Sequence, residues 1–139
     1  MPLMPVATNP KKREFYVYYL EYGGVPFYVG LGRDKRGTTR VEWIRYLISR
    51  EKRRLSPKWA RHCTVAYKLD PELCLIKHRI VAHSMPRKIA EKRERQEIDR
   101  LLARGRVLAN VQHNPERLST ARDVVIAIKA QMRAAQWGR

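Results

Sequence analysis

"YVYYLEYGGVPFYVGLGRDKR", residues 16–36, decides how the rest of the chain is read. Residues 14–22 are rich in aromatic and β-branched side chains, which predicts a strand. A strand turns successive side chains to opposite faces, so Tyr16, Tyr18 and Leu20 share one face and Phe15, Val17 and Tyr19 the other. Gly23-Gly24 is a two-residue hairpin turn. Residues 25–30 return as a second strand, and Pro26, with no N–H for a ladder, places that strand at a sheet edge. Five of the chain's seven tyrosines fall between 16 and 28. Val, Ile or Phe would fill a core without a hydroxyl that needs a partner, so this concentration of phenols asks for a chemical reason. Tyr18 and Tyr28 are expected as cross-strand neighbours on one face, and Gly30 leaves room for another group to approach the backbone.

Beyond the hairpin the period changes. Val41, Ile44, Leu47 and Ile48 recur at helical spacing and predict a helix over Thr38–Leu55. Ser56-Pro57 opens a short helix through Trp59, Ala60, Cys63 and Ala66, which Asp70-Pro71 breaks. "ELCLIKHRIVA", residues 72–82, reads as a third strand. Ser84 and Pro86 start a helix that runs to about Arg104, with Gly105 as its stop. A loop, "VLANVQHNP", leads to a last helix from Ser119 to about Gln136. Three strands cannot bury both faces alone, so helices must pack on them. The fold class is α/β of the α+β type: a small three-stranded antiparallel sheet flanked by helices. Residues 1–13 read as a flexible basic arm, 14–112 as the main domain and 113–139 as a C-terminal helical extension.

Composition narrows the partners. The 139 residues hold 30 Lys and Arg against 13 Asp and Glu, a net charge of +17. Such an excess attracts polyanions, nucleic acid foremost, because neutralising phosphates releases counterions. No apolar run is long enough for a membrane span and the N-terminus has no secretory h-region, so an intracellular protein is expected, in cytoplasm or nucleoid, or in a host cell if phage or mobile-element encoded. Cys63 and Cys74, with His62, His78 and His83, match no zinc spacing; they read as core thiols and surface imidazoles.

One carboxylate stands out. Projected at about 100° per residue from Ala90, the apolar stripe of the helix after Pro86 runs through Leu101 near 20°, Ile98 near 80° and Leu102 near 120°, with Glu94 near 40° among them. A carboxylate facing the core side is costly unless paired or bound to a metal. Glu94 is therefore either an ion-pair partner of one of the many arginines or a ligand for a hard divalent cation. Glu91 and Glu97 flank the stripe and are expected to reach water.

"YVY" at 16–18 and "YVG" at 28–30, an Arg soon after, a Glu in a helix beyond a third strand, and "LAN" at 108–110 together resemble the GIY-YIG nuclease family over about residues 14–112. Tyr16 stands where the family pattern has its first Gly, and no His or Tyr follows closely after the Arg. The resemblance implies a divalent-metal-dependent DNA endonuclease that hydrolyses phosphodiesters. Tyr18 would be the general base and Tyr28 would orient the water or phosphate. Arg36 would hold the phosphate, with Arg33 and Arg40 as neighbouring candidates, and Glu94 would ligate one Mg2+ or Mn2+ per active site. Gly30 and Asn110 would support the site. Arg33, Arg40, Arg45, Lys52, Arg53 and Arg54 would line the face for double-stranded or branched DNA. One active site cuts one strand, so a homodimer is a candidate assembly for double-strand cleavage. The alternative is a non-catalytic basic nucleic-acid-binding module in which Glu94 is an ion pair and the tyrosines stack on bases.

Overall fold

The alternation seen in the hairpin is realised as strand β1 (Phe15–Tyr22) and strand β2 (Val25–Arg33), joined by Gly23 and Gly24, both at positive φ. The structure, a computed structural model, describes residues 14–33 and 61–137. Within them follow helix α1 (Arg61–Leu69), strand β3 (Ile76–Met85), helix α2 (Arg87–Ala103) and helix α3 (Ala121–Trp137). The arm 1–13 and the helix expected over Thr38–Leu55 lie outside the described residues.

The sheet is antiparallel with the order β2-β1-β3. Its central strand is covered on both faces, which is why Val17 through Leu20 are buried without interruption. On one face Tyr18 and Leu20, joined by Phe27, pack against Cys63, Val65, Ala66 and Leu69 of α1 and Val124, Val125 and Ile128 of α3. On the other, Val17, Tyr19 and Val29 meet Ala90, Ile98 and Leu101 of α2 together with Leu108. Each fully buried Val, Leu or Ile contributes about 1.5–3 kcal/mol. The segment expected as a C-terminal extension thus supplies core residues to the same cluster as the hairpin.

The ends follow local chemistry. Gly105, at φ +80°, closes α2: its N–H reaches the Leu102 carbonyl at 2.9 Å and the Arg106 N–H reaches Leu101 at 3.0 Å, a Schellman arrangement. Thr120 caps α3 by accepting the Asp123 N–H at 3.0 Å. Strand limits differ from the sequence expectation at several points, and β3 also runs on to Met85, through the Ser84 expected to start a helix. β2 runs on to Arg33 because the Tyr16 ring lies over Gly32 and fills the face. β3 begins at Ile76, not at 72, because the Asp70 carboxylate accepts the N–H groups of Glu72 and Leu75 at 3.2 and 2.8 Å and winds 70–75 into a turn, with Leu73 at positive φ.

Candidate active site

The outer edge of β2 would present unpaired backbone groups, and a side chain answers them. Asn110 accepts the Val29 N–H at 3.0 Å through Oδ1 and donates Nδ2–H to the Val29 carbonyl at 2.8 Å. The Ala109 N–H donates to the Phe27 carbonyl at 2.6 Å. Asn114 then donates to the Asn110 carbonyl at 2.8 Å. The loop after α2 is laced along the strand in this way, and residues 111–113 form a rim beyond it.

Between that rim, α1 and α2 lies a hollow of about 230 Å³, lined among others by Tyr28, His62, Glu94, Asn110, Arg61 and His113. A wider groove of about 1000 Å³ shares Tyr28, Glu94 and His113 with it and adds Lys88, Lys92 and Arg95. Tyr28 comes from the face covered by α1 and α3, and Glu94 from the helix on the other face. They meet because β2 is an edge strand and both can reach around it. His62 stacks on the Tyr28 ring, centroids 4.0 Å apart and planes 15° from parallel. Arg61, next to it, donates to the Leu118 and Ser119 carbonyls, at 2.5 and 2.9 Å, and fixes α1 against the start of α3.

Glu94 is half-buried and no cation pairs with it among the described residues. Burial raises its carboxyl above the ordinary range, and the negative charge of Glu91 adds to that rise. Its neighbour Glu97, expected to reach water, is instead 5% exposed. Tyr19 donates its hydroxyl to Glu97, Arg93 reaches the other oxygen at 2.9 Å, and Arg100 binds both Glu97 and the Tyr19 oxygen. Burial alone would raise the Glu97 carboxyl, but the hydrogen bonds from Tyr19, Arg100 and Arg93 outweigh it and hold it below the usual range. The Tyr19 phenol is pushed up to about 12, by burial first and then by the Glu97 hydrogen bond and charge. The wheel had both glutamates near the apolar stripe; it could not show that β1 stands opposite one and the sheet edge opposite the other.

Of the residues singled out in the sequence, Tyr28, Glu94 and Asn110 meet at the hollow. Tyr18 does not line it. Its ring is 2% exposed, diagonal to Tyr28 at 6.2 Å between centroids and stacked on His78 at 4.5 Å. The room left by Gly30 is taken by Tyr18 itself, since a Cβ there would overlap the phenol ring. Arg33 ends β2 and is exposed. Arg36, Arg40, Arg45, Lys52, Arg53 and Arg54 lie outside the described residues. The imidazoles of His62 and His78, expected on the surface, are buried or half-buried in a run of stacked rings. Only the small and apolar residues around His62 in "HCTVA" could have signalled this.

No helix among the described residues is long and apolar enough to cross a membrane. Neither models of protein families, nor curated proteins, nor solved structures give a match to this chain.

Proposed function

We propose that the chain is a divalent-metal-dependent endonuclease that hydrolyses phosphodiester bonds of DNA, as its resemblance to GIY-YIG nucleases implies. The observation that carries this reading is Glu94: a half-buried carboxylate with no cationic partner among the described residues, sharing a hollow with the Tyr28 phenol. A carboxylate held above its ordinary range by desolvation and a like charge gains most from a cation. Glu94 would be the protein ligand for the ion, as the resemblance implies. That fits Mg2+ or Mn2+, which keep several waters and take substrate phosphate oxygens. The ion, when bound, supplies charge neutralisation at the scissile phosphate.

The chain's own residues do the rest. Tyr28 stands on the hollow and accepts or directs the proton of the attacking water, its ring held by His62 on one side and Tyr18 diagonally across the strands. The proton role given to Tyr18 by the sequence resemblance moves to Tyr28 in this reading, because Tyr18 is buried behind it. Asn110 fixes the backbone that carries Tyr28. Lys88, Lys92 and Arg95 line the wider groove and attract the phosphate chain, and Arg36 is the candidate for the transition-state phosphate.

A second reading, a basic nucleic-acid-binding module without catalysis, is favoured by the burial of Tyr18 away from the hollow. Nicking of supercoiled plasmid with Mg2+ or Mn2+ separates the two. Glu94→Gln is expected to lose cutting on the order of a thousandfold while keeping DNA affinity. Tyr28→Phe should lose about a hundredfold or more, and Tyr18→Phe less. Cutting by Glu94→Gln at the parent rate removes the site, and a larger loss in Tyr18→Phe returns the proton role to Tyr18.

A further inference from the structure

The flank of α2 that faces away from the hollow carries Arg93, Glu97 and Arg100 at helical spacing, and it overlooks the strand β3. Here the sheet is less covered: Lys77 and Arg79 are exposed on β3, opposite Glu21 and Tyr19 of β1. The three arginines are unusually constrained for exposed side chains. Arg93 and Arg100 are held by the buried Glu97. Arg79 binds Glu21 at 2.7 Å and lies over the Tyr19 ring, 5.2 Å from its centroid. Yet their side chains remain 57%, 39% and 44% exposed for Arg79, Arg93 and Arg100. A guanidinium has five N–H donors, and the carboxylates engage only some of them. Arg93 uses Nε, Arg100 uses Nε and Nη2, and Arg79 uses Nε and Nη2, so each keeps N–H groups for a ligand.

We propose that Lys77, Arg79, Arg93 and Arg100 form a second nucleic-acid-binding shelf on the β3 side of α2, which contacts the backbone phosphates of a duplex independently of the hollow. Four cations stand there against two carboxylates, both of which are buried and turned inward to position the arginines. Holding the guanidinium groups in place before contact reduces the side-chain entropy lost on binding. The occupant is a polyanion with regularly spaced phosphates. An apolar surface would leave the free N–H groups without acceptors.

The test uses the full chain and a 30-base-pair duplex, with affinity measured from about 50 to 300 mM salt. Lys77→Gln/Arg79→Gln removes the two β3 cations, and with Arg79 its pair with Glu21, while the Arg93 and Arg100 pairs with Glu97 are not touched. It is expected to lower the slope of log affinity against log salt by about two, one phosphate contact for each cation. A control, Lys68→Gln/Lys129→Gln, removes the same charge from α1 and α3 and should lower the slope much less. Thermal melting of both variants establishes that they fold. An unchanged slope in a folded Lys77→Gln/Arg79→Gln protein overturns the shelf, as does an equal loss in the control, which would mean net charge alone. Competition by polyglutamate as effective as duplex would also overturn it, in favour of an acidic protein partner. Plasmid nicking is read in parallel. Loss of slope in a protein that never cuts leaves the shelf standing and removes the nuclease reading, and cutting with an unchanged slope does the reverse.

Discussion

Glu94 and Glu97 sit three residues apart on α2, and each is set near a tyrosine of the same hairpin. Around Glu97 every lone pair that matters is answered: Tyr19 and Arg100 on one oxygen, Arg93 on the other. Its charge is kept, and the phenol that serves it is pushed up to about 12, a donor that does not give up its proton near neutrality. Around Glu94 no guanidinium closes in among the described residues, and its carboxyl is held above the ordinary range by burial and by Glu91. The two environments use the same residue types toward opposite ends. One completes its hydrogen bonds and becomes part of the scaffold. The other has no cationic partner among the described residues and lines a hollow beside the edge strand. A tyrosine beside a carboxylate is therefore not in itself a sign of chemistry; the number of cations already bound to that carboxylate decides.

The comparison breaks most visibly at Glu97. Glu97→Ala leaves the Tyr19 hydroxyl without its acceptor in the core and frees two arginines, and removing one member of a buried ionic group costs about 3–5 kcal/mol. Urea unfolding followed by far-UV circular dichroism measures this. A midpoint unchanged from the parent would mean that the network contributes nothing and that the contrast between the two carboxylates is only geometric.

A smaller effect tests how tightly the Tyr28 side is built. Gly30→Ala places a Cβ in the Tyr18 ring, which is wedged among Tyr16, Tyr28 and His78. Overpacking of this kind costs about 1–3 kcal/mol. Gly32→Ala meets the Tyr16 ring, which is only half-buried and can swing outward, so its cost is expected to be lower. Equal losses for the two alanines would show that the Tyr18 ring is not confined.

Much of this was legible in the chain. The period of two in the hairpin, the Gly23-Gly24 turn, Pro26 on an edge strand and Gly105 after α2 all rest on local backbone chemistry, and local chemistry can be read from residues alone. The helical wheel brought Glu94 to the core side of α2. It failed for Glu97 because a wheel gives a direction and not what stands in that direction. Only the strand order β2-β1-β3 puts Tyr19 opposite Glu97 and brings Glu94 to the hollow beside the edge strand β2. The start of β3 departs from the strand composition of "ELCLI" because the Asp70 side chain outcompetes the ladder for the N–H groups of Glu72 and Leu75. The stacking of His62 on Tyr28 and the lacing of Asn110 along β2 join residues 34 and 81 positions apart, which no periodicity reports.

The subtlest expected effect concerns stability and pH, where the two carboxylates should act with opposite sign. The Glu97 carboxyl is lowered in the fold, so its contribution is present above the unfolded value and is lost as pH falls through the folded one. The Glu94 carboxyl is raised, so the fold is favoured by its protonated form; that contribution is present below the unfolded value and is lost as pH rises through the folded one. At neutral pH without divalent cations, Glu94→Gln should therefore be slightly more stable than the parent, by less than about 1 kcal/mol, as expected when a residue is kept for function rather than for folding. The gain should disappear on acidification below the carboxylate range, whereas the deficit of Glu97→Gln should shrink there. Millimolar Mg2+ should raise the melting temperature of the parent and not that of Glu94→Gln, because a ligand stabilises only the state that binds it. A Gln variant that melts below the parent at pH 7 in the absence of metal would mean that Glu94 is already satisfied by the protein, and that it belongs with Glu97 in the scaffold.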